Sequence, residues 1–150
     1  MVFIIVSIVL SLDQLTKFLV TRSLEYNKSI PVIKGVFHLT LIHNQGAAFG
    51  ILKNQVPLFI FTSVFAIILI FFNLKNNNSA RRRSYSISLG LILAGALGNL
   101  IDRLFLGYVI DFLDFRVWPV FNVADSAITA GAILLGWSIL KSKDQSPAKS

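Results

Sequence analysis

The sequence predicts an all-α membrane protein with a small β element, in which four transmembrane helices carry a β-rich platform on the outer face. Three observations predict it. Hydrophobic residues make up 55% of the 150 residues and charged residues only 14%, against roughly 25% charged in an average soluble domain, and mean hydropathy is +0.72. Four apolar stretches each approach the about 20 residues that a helix needs to cross a hydrocarbon core of about 30 Å. Two of the connections between them are rich in β-branched and aromatic residues, as strands are. So little charge cannot coat a soluble globule of this size. That excludes a cytosolic enzyme, a disordered tail and a nucleic-acid-binding module. The net charge of +7 reads instead as loop residues facing an anionic membrane surface. The length suits one domain, residues 1–150.

The first span is expected over 2–20. It is interrupted by Asp13, Gln14 and Lys17, and it has neither a basic n-region nor a small-residue cleavage site, so it reads as a retained helix and not a cleaved signal peptide. The outer loop 21–55 follows. In it Phe37, Leu39 and Leu41 alternate with His38, Thr40 and Ile42 between Pro31, Gly35 and Gly46, the period of a strand. The second span, 56–74, is dominated by Phe, Ile, Leu and Val. Lys75 and the triplet Arg81, Arg82 and Arg83 mark 75–84 as a cytoplasmic loop, and Lys141, Lys143 and Lys149 place the C-terminal tail on the same side. Arg22, Lys28, Lys34 and Lys53 run against that rule, but the Arg triplet is denser and adjoins two spans. The third span covers 85–105. In the outer loop 106–122, the segment from Val109 to Val117 reads as a strand, and Trp118, Pro119 and Phe121 belong at the interface belt. The fourth span covers 123–140. Gly90, Ala94 and Gly98 on the third helix, and Ala127, Gly131, Ala132 and Gly136 on the fourth, have the small-residue spacing that lets helices approach closely in lipid.

Ionisable residues within spans are costly and seldom idle. Asp13 and Lys17 lie four apart and share a helix face, so they can neutralise one another. Asn99, Asp102 and Arg103 share another face and read first as a self-satisfying patch at the end of the third helix. Asp111 and Asp125 have no basic residue at helical spacing, and the topology places both near the outer membrane surface. Asp125 can be a helix N-terminal charge and Asp111 a solvated loop carboxylate. Alternatively, two carboxylates held close share one proton, so the ionised member takes a proton from water while its partner donates to a peptide carbonyl. Competing chemistry is scarce. The chain has no Cys and two His, which removes thiolate chemistry and a three-His zinc site, and no metal site is expected. It contains no H-E-x-x-H or G-x-S-x-G motif. Ser126 and Lys17 could pair only through the tertiary fold, and His38 and His43 fall on a strand edge. A small proton-relay or carrier protein is the competing class, but the charges cluster towards one face and no pair of broken helices is visible.

Five segments, in order and on four apolar stretches, carry a resemblance: Asp13-Gln-Leu-Thr-Lys17, Asn44-Gln-Gly-Ala-Ala-Phe-Gly50, Gly95-Ala-Leu-Gly-Asn-Leu-Ile-Asp-Arg103, Gly107-Tyr-Val-Ile-Asp-Phe112 and Phe121-Asn-Val-Ala-Asp125. On these residues the chain resembles the lipoprotein signal peptidases, or signal peptidase II. The resemblance implies four transmembrane helices with both termini cytoplasmic, and an extracytoplasmic β-cradle with a short amphipathic helix. It implies an aspartic endopeptidase of the bacterial cytoplasmic membrane that removes the signal peptide from diacylglyceryl-modified prolipoproteins just before the lipidated cysteine, without a cofactor. The catalytic pair then falls on Asp111 and Asp125, and supporting polar positions on Asp13, Lys17, Asn44, Gly46, Asn99, Asp102, Arg103 and Asn122. Prolipoprotein substrate, membrane lipids and globomycin-type cyclic peptide inhibitors are the expected partners, and a monomer the expected state. Beside the pair, small Ala124 is expected to leave room for substrate backbone, and the Gly-Ala-Ala run and Phe49 to form an apolar edge over the groove.

Overall fold

The computed structural model describes residues 1–46, 52, 54–75 and 83–143. Helix α1 spans Val2–Ser23, strands β1 and β2 span Ser29–Ile33 and Phe37–Asn44, helices α2 and α3 span Val56–Lys75 and Arg83–Leu106, strand β3 spans Val109–Asp114, and helix α4 spans Val123–Lys143. All four helices are long and apolar enough to cross a membrane. The strands form one antiparallel sheet in the order β1-β2-β3. Since β1 and β2 join the end of α1 to the start of α2, and β3 joins the end of α3 to the start of α4, the whole sheet sits at one end of the bundle.

The helices bury little of themselves, as a lipid-facing bundle should. Helix α2 leaves Leu58, Phe61, Val64, Phe65, Ile68, Leu69, Phe71 and Phe72 exposed, a surface that water would penalise and hydrocarbon accepts. Helix α3 is the central one, packing against α1, α2 and α4. Its contact with α4 is close because glycines stand there: a Cβ on Gly95 would strike the Ala124 carbonyl oxygen, and one on Gly131 would lie 2.8 Å from the Ser88 carbonyl oxygen. Gly90 and Gly98 face α1, with Ile5 and Asp13 as neighbours. Gly136, expected in the same role, has nothing within 4 Å and belongs to no helix contact.

Local chemistry sets the element ends. Gly107 has φ +78° and its N–H bonds back to the Arg103 carbonyl at 3.2 Å, the left-handed stop that closes α3. Gly35, also at φ +78°, turns β1 into β2. Strand β3 ends at Asp114, short of Val117, because the Asp114 Oδ1 accepts the Arg116 N–H at 2.8 Å and Arg116 adopts φ +66°, a side-chain-closed turn that leaves the sheet. The clean in–out alternation expected of β2 is absent. This strand lies between two neighbours, the register shifts between Leu39 and Ile42, and Thr40 and Leu41 are both buried. Val20, Leu24, Leu41, Ile110 and Phe112 form the core under the sheet, while Ile70, Leu89 and Leu93 join α2 to α3. Among the described residues no helix accompanies the sheet. The stretch that holds Phe49 and the Gly-Ala-Ala run lies outside the described residues beyond Gly46.

Candidate active site

Asp111 and Asp125 meet because β3 and the entrance to α4 are stitched together. The Phe112 and Leu113 N–H groups donate to the Phe121 carbonyl at 2.9 and 2.8 Å, and the Phe121 N–H donates to the Leu113 carbonyl at 3.1 Å. This sets Asn122 beside β3. Asn122 and Asp125 then form a capping box on α4: the Asp125 N–H donates to Asn122 Oδ1 at 2.8 Å, and the Asn122 N–H donates to Asp125 Oδ2 at 3.3 Å. The Asn122 side-chain amide reaches the other way, donating to Asp111 Oδ1 at 2.8 Å. One residue thus holds both carboxylates. Asn44 donates to Asp111 Oδ2 at 2.8 Å from the same face of the sheet, where Ile42 pairs with Asp111 and Asn44 with Val109. Gly46 shapes that position, its N–H donating to Asn44 Oδ1 at 2.9 Å. Asn99 donates to Asp125 Oδ1 at 2.7 Å.

Asp111 is no solvated loop carboxylate; only 1% of its surface is exposed. Burial pushes its carboxyl up to about 7, the Asp125 charge adds to the rise, and the Asn44 hydrogen bond works against it. The helix N-terminal reading of Asp125 is correct as far as it goes, since it belongs to the capping box, yet its side chain also faces a cavity of about 280 Å³. That cavity is lined by both carboxylates together with Asn44, Asn99 and Arg103, and is walled by Trp118.

Asp13 and Lys17 are not a self-contained pair, nor do Asn99, Asp102 and Arg103 satisfy themselves. Lys17 is 2% exposed, and its ammonium contacts Asp13 Oδ2 at 2.9 Å, Asp102 Oδ2 at 2.8 Å and Asn99 Oδ1 at 3.1 Å, one acceptor for each of its three protons. Asp13 Oδ1 accepts the Ala124 N–H at 2.9 Å, another free donor of the α4 N-terminus, and Asp102 Oδ2 accepts the Ile110 N–H at 3.1 Å. The Lys17 cluster therefore ties α1 to α3, β3 and α4 directly beneath the carboxylate pair. Arg103 stands apart from Asp102: it donates to the Asn99 carbonyl at 3.4 Å and lies over the Phe59 ring, 5.0 Å from its centroid. Ala124 is wholly buried against Gly95 and Gly98 and does not line the cavity, so its small size serves helix packing and leaves no room for substrate.

Sequence reading missed Gln14. Its Nε2 lies within 3.1 Å of Asp102 Oδ1, 3.2 Å of Asp13 Oδ2 and 3.3 Å of the Gly98 carbonyl, and so it joins the two carboxylates that Lys17 also joins. The signal was its place within the Asp13–Lys17 segment, but neighbouring residues point about 100° apart on a helix, and only a long side chain crosses that gap. His43 and His38 stay outside the cavity. His43 is stacked between Tyr26 and Tyr108, with centroids at 4.6 and 4.0 Å, and burial lowers its pKa. His38 lies beside Ser29 at 3.1 Å.

These features define an integral-membrane protein of four apolar helices that gathers two carboxylates at the rim of its bundle. The family of signal peptidase (SPase) II matches residues 5–141, and the chain belongs to it. The lipoprotein signal peptidase of Halothermothrix orenii is 52% identical over 136 residues, covering 90% of this chain and 92% of that protein. That of Geobacter metallireducens is 44% identical over 145 residues, covering 92% and 89%. A solved structure described as a bacterial membrane enzyme, at 2.3 Å resolution, superposes with a TM-score of 0.90 at 31% identity over 99% of this chain and 93% of its own. Membership makes the protein a membrane peptidase and sets aside the carrier reading.

Proposed function

We propose that this membrane peptidase is a two-aspartate endopeptidase acting on diacylglyceryl-modified prolipoproteins at the outer surface of the cytoplasmic membrane, and that it cuts before the lipidated cysteine. The observation that carries the mechanism is the bridging of Asp111 and Asp125 by the single residue Asn122 at one cavity. Around the pair, four carboxylates, Asp13, Asp102, Asp111 and Asp125, are met by two cations, Lys17 and Arg103. In a poorly solvated setting that excess of negative charge favours keeping one proton. Asp111, with a pKa of about 7, holds it. The Asp125 carboxylate takes a proton from a water molecule, the hydroxyl oxygen attacks the scissile carbonyl carbon, and Asp111 passes its proton to the carbonyl oxygen. Asp125 then gives its proton to the amide nitrogen while Asp111 takes one back from a hydroxyl of the gem-diol, and the C–N bond breaks to release the amine and a carboxylic acid. Asn44 and Asn122 donate to both oxygens of Asp111, which fixes the orientation of its carboxyl group. The reaction needs no metal ion. That the substrate is a lipoprotein precursor rests on family membership and on the names of the relatives, and the diacylglyceryl group and the position of the cut are what the resemblance carried by the five segments implies. The site's position at the end of the bundle opposite Lys75 and Arg83, the residues that bound the basic connection in the sequence, supports the outer face.

The test is cleavage of a diacylglyceryl-modified prolipoprotein peptide by purified protein in detergent, with and without a metal chelator, beside the same peptide unmodified. Chelator-insensitive cleavage of the lipidated peptide alone is expected. Equal cleavage of the unmodified peptide would refute the substrate class, and loss on chelation would refute the mechanism.

A further inference from the structure

A second cavity, of about 530 Å³, adjoins the one that holds the carboxylates. The two share Trp118, Phe121, Asp125 and Thr129, so Asp125 stands at their junction. Their characters differ. The first sets amides, carboxylates and a guanidinium among apolar residues such as Val109 and Ile128, whereas the second, with Asp125 only at its mouth, runs down α4 over a floor of Ser126, Thr129 and Ala130 between Phe115, Phe121 and Ile133. Ser126, Thr129 and Ala130 stand at i, i+3 and i+4, one face of the helix; their small side chains leave a furrow, and the larger apolar ones stand up as its walls. Ile133 is 70% exposed, so the furrow opens sideways towards the hydrocarbon. At 1.5 Å per residue it descends about 12 Å from Asp125 to Ile133.

An extended peptide laid there would need partners for its backbone amides. The Ser126 hydroxyl is already committed to the Asn122 carbonyl at 2.9 Å, which leaves the Thr129 hydroxyl as one polar group on the floor, too few for an extended backbone, and the walls offer hydrocarbon and aromatic surface. A hydrocarbon chain needs no such partners and gains from each buried methylene. We infer that this furrow on α4 receives an acyl chain of the substrate's own diacylglyceryl group, so that the lipid anchors the cysteine while the peptide bond lies across Asp111 and Asp125. This rests on the proposed function and adds to it a place for the lipid. It also gives a physical reason for cleavage next to the modified residue: the furrow and the carboxylates meet at Asp125, so a chain seated in one presents its nearest peptide bond to the other.

The test compares two substrates of identical peptide, one with long and one with short acyl chains, in the same detergent. Ala130→Trp fills the furrow and should lower the ratio of kcat/KM for the long-chain substrate to that for the short-chain substrate at least tenfold, mainly through KM. Ile139→Trp, on the exposed face of α4 beyond the furrow, should leave that ratio unchanged. An equal loss on both substrates, as when a bulk lipid chain fills the furrow, overturns the inference, and so does an unchanged ratio in Ala130→Trp. A second measurement uses unaltered protein and a substrate with a photoreactive group in its acyl chain. Adducts should map to residues 126–133, and adducts confined to the exposed face of α2 would overturn it. Wild-type cleavage of the long-chain substrate keeps the two readings separable: its absence would defeat the proposed function, whereas its presence with an unmoved ratio defeats only the furrow.

Discussion

In the proposed mechanism Asp111 and Asp125 carry the chemistry, and their surroundings say how each should fail. Asp111→Asn or Asp125→Asn keeps the shape and removes a proton-transfer group, a loss of about 10²–10⁴-fold or more in cleavage. The check is turnover of a lipidated peptide together with thermal unfolding in detergent. Near-normal turnover by either well-folded variant would end the two-aspartate assignment. The proton on Asp111 also sets a pH limb. With its carboxyl at about 7, the protonated form is present below that value, so kcat/KM should decline as pH rises through it. Asn44 donates to the Asp111 carboxylate and lowers its pKa. Asn44→Ala should therefore move the limb to higher pH as well as lower the rate. A limb that stays in place would mean that a different group controls it.

Among the elements, α1 depends on a buried lysine and the α3–α4 contact on glycine. Lys17→Met leaves Asp13 and Asp102 charged, buried and without their cation, a change that costs about 3–5 kcal/mol. A marked drop in the detergent unfolding midpoint is expected. Adding Asp13→Asn and Asp102→Asn should recover part of it, because neutral amides do not need the ammonium. If Lys17→Met unfolds like the parent but no longer cleaves, the cluster is catalytic and not a structural tie. Gly95→Val places side-chain atoms where the Ala124 carbonyl and Ile128 already stand. It should force α4 away from α3 and lower the yield of folded protein, whereas Gly136→Ala, with open space around it, should be harmless.

For the whole molecule, the sheet and the facing ends of α2 and α3 at Lys75 and Arg83 mark opposite ends of the bundle. The chain contains no cysteine, so single cysteines can report sidedness without background. Lys34→Cys, in the turn between β1 and β2, should react with an impermeant thiol reagent added outside intact cells, whereas Arg83→Cys should react only after permeabilisation. The reverse pattern would invert the topology and place the site on the cytoplasmic side.

What the sequence determined by itself is the part governed by local composition and order. The apolar runs, interrupted only where a polar cluster is built, specify four helices; Pro31, Gly35 and Gly46 bound a strand; five ordered segments pointed to the family. Asp111 and Asp125 were legible as carboxylates without a helical partner. Which atoms meet was not, because partners from different elements leave no spacing in the chain. Lys17 joins Asp102 across 85 positions, Asp13 caps Ala124 across 111, and Gln14 reaches off its own helix face. Ala124 shows the limit clearly: a small residue beside the carboxylates reads equally well as room for a ligand or as helix packing, and only the close approach of α3 decides for packing. The tertiary structure made these choices because a poorly solvated interior tolerates charge and amide groups only when each finds a partner, and the arrangement that satisfies them all also sets the two carboxylates on one cavity.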